Sequence, residues 1–189
     1  FKIRLKKVII TLAFFDMPES GILIKQFHSI CRKSLLAGII SPATPEYAWN
    51  ATSGAVEKLL LLVLEPGPIP IKQIPRSVEF NKRYGEFWGE KARKKLSCHG
   101  AGCAYDAVYV LVKAMEKAGT KDADKVVKEL EKIDMNGVVG RIRFSKEHQL
   151  IFGYDPKKSA IACIFQWKKP GVRVPVFPIA ISEGDIELP

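Results

Sequence analysis

At 189 residues, 47% hydrophobic and 26% charged, the chain is long and apolar enough to bury a core, which excludes a disordered or collagen-like polypeptide. Its 30 Lys and Arg against 20 Asp and Glu give a net charge of +10, which favours an anionic partner surface without deciding a fold. No apolar stretch reaches the roughly 20 residues that a membrane-spanning helix needs.

Lys2, Arg4, Lys6 and Lys7 stand ahead of the apolar run Val8 to Phe15 and imitate a secretory signal. The run is short, however, and passes into Asp16, Met17 and Pro18 without a small-residue cleavage site, so it reads as a strand buried on both faces. A chain that opens on Phe1 rather than Met is expected to be a processed or truncated piece. Asp16, Pro18 and Ser20 mark a turn, and Ile22, Leu23, Phe27 and Ile30 then fall near helical spacing. The apolar run Leu35 to Ile40, stopped by Ser41 and Pro42, completes a strand–helix–strand unit that requires parallel pairing and a right-handed crossover.

Val56 to Leu64 predicts a third buried strand, and Pro66, Pro68, Pro70 and Pro75 make the next stretch a connector. Ser77 is placed as the cap of a helix running to about Glu90. Tyr105 to Lys117 predicts a strong helix with an inward stripe of Ala104, Val108, Leu111, Val112 and Met115, stopped by Gly119. Asp122 to Ile133 predicts another, with Val126, Val127 and Leu130 inward. Period-two patterning then marks strands over 139–144, 161–167 and 172–177.

The basic residues do not form one nucleic-acid arm. Those between Lys121 and Lys132 alternate with Asp122, Asp124, Glu129 and Glu131, as on a solvated helix face. The run Lys91 to Lys95, beside Phe87 and Trp88, is the strongest basic patch, and it fits a helix end better than a phosphate-binding surface. No nucleic-acid partner is expected. His28, His99 and His148 stand in no serine or cysteine arrangement of a known catalytic family, apart from His99 beside Cys98, and no phosphate-binding loop is present, so an enzyme and a cofactor are not expected. Cys98-His-Gly-Ala-Gly-Cys103 admits three readings: a local disulfide, a zinc site short of its fourth ligand, or free thiols.

A family becomes visible in Tyr105-Asp-Ala-Val-Tyr-Val-Leu-Val-Lys-Ala-Met-Glu-Lys-Ala-Gly119, which resembles a helix of the branched-chain amino acid type of periplasmic solute-binding protein. Phe15-Asp-Met-Pro-Glu-Ser20, Trp49 to Gly54, Ala123 to Ile133, Gly140-Arg-Ile-Arg-Phe144, Phe165-Gln-Trp167, Val174-Pro-Val-Phe-Pro178 and Ile186-Glu-Leu-Pro189 resemble further pieces in the same order. The resemblance implies an α/β fold of type I, a parallel-sheet lobe with helices packed on the sheet. Residues 1–75 would form the second-lobe core, 76–145 a helical segment completing the first lobe in intact members, and 146–189 strands returning to the second lobe. It further implies a non-enzymatic receptor that closes two lobes over a small solute such as an amino acid and serves a membrane permease of an ABC transporter. Such a protein is extracytoplasmic; a chain expressed as given would be cytoplasmic. With the first lobe missing, the helices from Ser77 to Ile133 are expected to expose an apolar face suited to self-association or a partner chain. The alternative is a stand-alone ligand-sensing or oligomeric interaction domain of the same fold.

Ligands of open α/β sheets gather at the carboxyl ends of strands, which nominates Phe14, Phe15 and Asp16 after the first strand and Ile40 and Ser41 after the second. By the resemblance, Ile40 stands near an acidic residue that holds the amino group in some amino acid binders. Ile40 cannot do so, and Asp16 is the substitute counter-ion or simply a turn residue. His99, Gly100 and Gly102, ahead of the Tyr105 helix, are candidates to present backbone N–H groups to an anion.

Overall fold

The computed structural model describes residues 9–65, 67, 69–98 and 100–189. The first apolar run forms β1 (Ile10–Phe15), helix α1 (Ser20–Ile30) follows the Asp16–Glu19 turn, and β2 (Leu35–Ile40) returns parallel to β1. A short 3₁₀ turn at Ser41–Ala43 and the single helical turn α2 (Ala48–Ala51) lead to β3 (Leu60–Val63), parallel to β2. The chain then leaves this sheet for helices α3 (Pro75–Trp88), α4 (Glu90–Arg93), α5 (Ala101–Ala118) and α6 (Ala123–Leu130). Four short strands, β4 (Met135–Gly137), β5 (Gly140–Ile142), β6 (Phe152–Gly153) and β7 (Ala160–Ile161), make a second sheet in the order β4-β5-β7-β6. Strands β8 (Cys163–Lys169) and β9 (Val172–Phe177) return antiparallel to the first sheet, whose order is β1-β2-β3-β8-β9.

The main core lies on one face of the five-stranded sheet. Leu36, Ile40, Leu61, Val63, Phe165 and Trp167 meet Ile24 of α1 and the Ala43–Ala48 stretch there. Trp167 and Phe165 are fully buried, and the Trp167 ring stands 6.0 Å from Trp49. A second core joins Val110 and Ala114 of α5, Val126 of α6 and the residues Val139, Ile142 and Ala160 of the small sheet. A third cluster, Phe80, Leu96 and Val138, fills the junction between the two units.

Several sequence expectations change. β1 is an edge strand rather than one buried on both faces: Leu12 is 69% and Phe14 68% exposed, and Ala13 alone in the strand is buried. Val8 lies outside the described residues. On α1, Ser20 and Ile24 are buried while Ile22 and Ile30 face outward. Ser77 is no cap, because α3 begins at Pro75; its hydroxyl accepts from the Ile71 N–H at 2.8 Å and donates to the Ile71 carbonyl. On α5 most of the expected stripe is turned out, and of its members Met115 packs against the second core. Gly102, Asp106, Val110 and Ala114 face inward, and Val108, Leu111 and Val112 are exposed, leaving the apolar face that the resemblance anticipated. Val127 of α6 is likewise exposed, whereas Asp122 caps that helix by accepting from Lys125 N–H at 3.1 Å. The strand predicted over 139–144 forms as the shorter β5, paired in a tight hairpin with the unpredicted β4, with Val138 and Val139 at the tip.

Candidate functional site

The register of β1 and β2 pairs Phe15 with Ile40, so the chain leaves both strands at the same level and brings Asp16 and Ser41 abreast at the sheet's carboxyl edge. Asp16 is exposed, and the Ser20 hydroxyl, donating to the Met17 carbonyl at 2.6 Å, closes the turn after it. Phe15 is 40% exposed. Phe14, one residue earlier, points to the opposite face of the sheet. Ile40 has no exposed surface and belongs to the main core, so its side chain is not a cleft group.

Ser41 carries the polar opportunity here. Its hydroxyl is buried and has no hydrogen-bond partner among the described residues, while its carbonyl accepts from both the N–H and the hydroxyl of Thr44. A buried hydroxyl left without a partner costs roughly 1–3 kcal/mol, so a group that satisfies it gains that amount.

The Thr44 hydroxyl also accepts from the Cys98 N–H at 3.1 Å, which ties the segment ending at Cys98 to the Ser41 turn. Beneath it, Arg173 donates to the Thr44 carbonyl at 2.6 Å and lies 5.7 Å from the Trp167 ring centroid. Burial lowers the affinity of the Arg173 guanidinium for its proton. The neighbouring basic run is tied down: Arg93 pairs with Glu46 at 3.1 Å and Glu90 at 2.8 Å, and Lys94 reaches Glu46 at 3.8 Å.

His99 lies outside the described residues. Gly100, in the left-handed region at φ 89°, starts α5, and its carbonyl accepts the Ala104 N–H. Of the N–H groups expected to meet an external anion, that of Gly102 is already engaged by the protein's own carboxylate. Glu65, 2% exposed, accepts from Gly102 N–H at 3.3 Å and from Cys103 N–H at 2.7 Å. One turn further on, Asp106, 3% exposed, accepts from Val138 N–H at 2.7 Å and Val139 N–H at 3.3 Å. Neither acid was singled out from sequence. The available signals were an acid inside the apolar segment Tyr105–Val108 and another closing the apolar run Leu59–Leu64.

All four cysteines are free thiols. Cys98 is fully buried in the main core and Cys103 is exposed on α5, so the two do not form the local disulfide. Among the described residues no group of three His, Cys, Asp or Glu is placed to hold a metal ion. Nor is any described helix long and apolar enough to cross a membrane.

A sequence model of the periplasmic binding protein family matches residues 44–155. No curated protein sequence matches the chain. Among solved structures, a Silicibacter pomeroyi protein described as a branched-chain amino acid ABC transporter superposes with a TM-score of 0.79 at 18% identity, covering 98% of this chain and 48% of that one. A leucine binding protein from Thermotoga maritima gives 0.61 at 22% identity, covering 89% and 43%. A branched-chain amino acid substrate binding protein from Streptococcus pneumoniae, solved with isoleucine, gives 0.63 at 16% identity, covering 100% and 47%. The chain thus spans about half the length of the structures it matches, and at these identities the likeness concerns the fold.

Proposed function

This chain belongs to the periplasmic binding protein family, and from that premise we propose that it is part of the substrate-binding component of an ABC transporter for a branched-chain amino acid or similar small solute. Members of this family are solute-binding proteins rather than enzymes. The observation that carries the reading is the pairing of Phe15 with Ile40, which sets Asp16 level with Ser41 at the carboxyl ends of two parallel strands, where the buried Ser41 hydroxyl has no partner among the described residues. Such strand ends are where α/β folds take ligands. In this reading Ser41 accepts or donates one hydrogen bond to the solute, Phe15 supplies an apolar wall, and Asp16 is the counter-ion for an ammonium. Gly100 stands two residues beyond the Cys98–Thr44 contact. Closure of two lobes over the ligand would then present one shape to a membrane permease, outside the cytoplasm.

Isothermal titration of the 189-residue chain with leucine and isoleucine tests this. Saturable binding is expected, weakened about tenfold or more in Asp16→Asn, because a charge-assisted hydrogen bond contributes roughly 1.5–3 kcal/mol. Equal affinity for 4-methylpentanoate, which lacks the ammonium, would remove Asp16 from the proposed role. A chain that binds none of these even near millimolar concentration loses the receptor reading.

One observation favours a second reading. The outward face of α5, with Val108, Leu111 and Val112 exposed, together with Phe87 and Trp88 at the end of α3, suits an oligomeric interaction domain of the same fold. A stable dimer that binds no small solute would support that reading.

A further inference from the structure

Three backbones meet where the chain passes between its two sheets. Gly67, on the segment leaving β3, approaches Gly102 of α5 so closely that a methyl group on Gly67 would stand 2.9 Å from the Gly102 Cα and 2.9 Å from Val138 Cγ1. Gly137, entering the tip of the β4–β5 hairpin, lies so near the Asp106 carboxylate that a side chain there would collide with it. Each of the two acids on these backbones ties a pair of N–H groups on a different segment. Glu65 holds the first turn of α5 to the departing segment, and Asp106 holds the hairpin tip to α5. The hairpin tip is in turn bonded to β7 through Ile161 N–H and the Val139 carbonyl, just before the chain re-enters the large sheet at β8. Both passages between the sheets are therefore fastened to one end of α5.

We propose that Glu65 and Asp106 are the positioning residues of the junction between the two units, and that Asp106 is a clasp whose grip on the hairpin tip is set by its proton. The inference rests on the receptor reading only for its use, which is to make the opening angle of the two units respond to acidity; the clasp itself requires no ligand.

The geometry makes Asp106 the sensitive member. Its Oδ2 receives both hairpin amides, while its Oδ1 is buried without a hydrogen-bond partner among the described residues. An ionised carboxylate with one bare, desolvated oxygen is poorly accommodated, and a proton placed there relieves it. The charged groups that face it are Arg76, from α3, and Glu65, from the departing segment; the hairpin tip, Gly137 to Gly140, brings none. Arg76 is itself held by the Asn136 carbonyl at 3.0 Å and over the Tyr109 ring at 4.9 Å. Burial, and in smaller part Glu65, push the Asp106 carboxyl up from 3.8 to about 6, against the two backbone hydrogen bonds and Arg76.

The sign follows from linkage. A carboxyl that titrates higher in the closed junction than in a solvated, open one binds its proton more tightly when closed, so the clasp is tightest below the open-state value of 3.8. That grip is lost as pH rises through about 6. Above that the carboxylate gains hydration by letting the hairpin tip go.

Hydrogen exchange at the Val138 and Val139 amides of the 189-residue chain, corrected for intrinsic rates and followed from about pH 5 to about pH 7.5, tests the clasp, with the Leu61 amide of β3 as reference. Protection at the two hairpin amides is expected to fall by up to about tenfold across that window, the linkage limit for a carboxyl moved from 3.8 to about 6, and by more than at Leu61. Asp106→Asn should flatten the profile. Arg76→Gln, which keeps the Asp106 carboxylate and removes the cation that faces it along with one tie to the Asn136 carbonyl, should move the midpoint to higher pH whatever it does to protection overall. A flat wild-type profile, a fall equal to that at Leu61, or a profile indifferent to both variants would each overturn the proposal, whatever the outcome of the amino acid titration.

Discussion

Trp167 donates its indole N–H to the carbonyl of Ala43 at 2.9 Å, joining a returning strand of the large sheet to the turn that carries Ser41. Both residues are fully enclosed in the main core. Trp167→Phe keeps most of the ring but leaves the Ala43 carbonyl without that donor. A loss of about 1–3 kcal/mol is expected in urea denaturation. Trp167→Ala adds a cavity and should cost about 3–5 kcal/mol.

Gly38 is the tightest backbone position in the large sheet. Its φ is 145°, and a Cβ there would run into the carbonyl oxygen of Ala13 on the neighbouring strand. Because the obstacle is backbone, neither strand can move aside without losing its pairing. Gly38→Ala is expected to destabilise the protein by more than the roughly 1 kcal/mol typical of point substitutions. Circular dichroism during thermal unfolding would show a lowered midpoint or no cooperative transition.

The thiols should divide into two classes. Cys98, pushed up to about 12 by burial, and Cys163, raised by burial as well, are enclosed. They should react with a thiol reagent only after denaturation. Cys103 is exposed, but its thiol is also pushed up to about 12, by burial first and then by the Glu65 carboxylate that it faces. Its labelling in the native protein should therefore be slow near neutral pH, and Glu65→Gln should quicken it. Rapid labelling of all four thiols without denaturant would contradict the packing described above.

The opening β1–α1–β2 unit was readable because each of its signals is local: an apolar run, a turn built on Asp16 and Ser20, and a second run stopped by Ser41 and Pro42. The length of α5 was readable for the same reason. Its orientation was not. Hydrophobicity placed Val108, Leu111 and Val112 inside, but the face that packs is the one whose small residues and acid let Gly102 approach Gly67 and Asp106 reach the hairpin tip. Close backbone approach selects for small residues and satisfied polar groups, and an apolar stripe carries no trace of it. The edge position of β1 was hidden similarly, since Leu12 and Phe14 look like core residues wherever the strand lies. At the candidate site, the strand ends nominated from sequence bring Asp16 and Ser41 level with each other, whereas the Ile40 side chain lies in the core because the side of the sheet it faces is fixed by strand pairing. Glu65 and Asp106 escaped notice because their partners, Gly102, Cys103, Val138 and Val139, are amides brought near only by the completed fold.

The pairing of β3 with β8, in which Leu61 stands opposite Phe165, bears on how the molecule is made. During synthesis β1, β2 and β3 emerge with one side of β3 unsatisfied, and that side stays open until the helices and the small sheet have also left the ribosome. For that interval the exposed backbone of β3 is free to pair with a strand of another molecule. Slowing translation between β3 and β8 should then raise the insoluble fraction, because the arrival of β8 is what closes that edge.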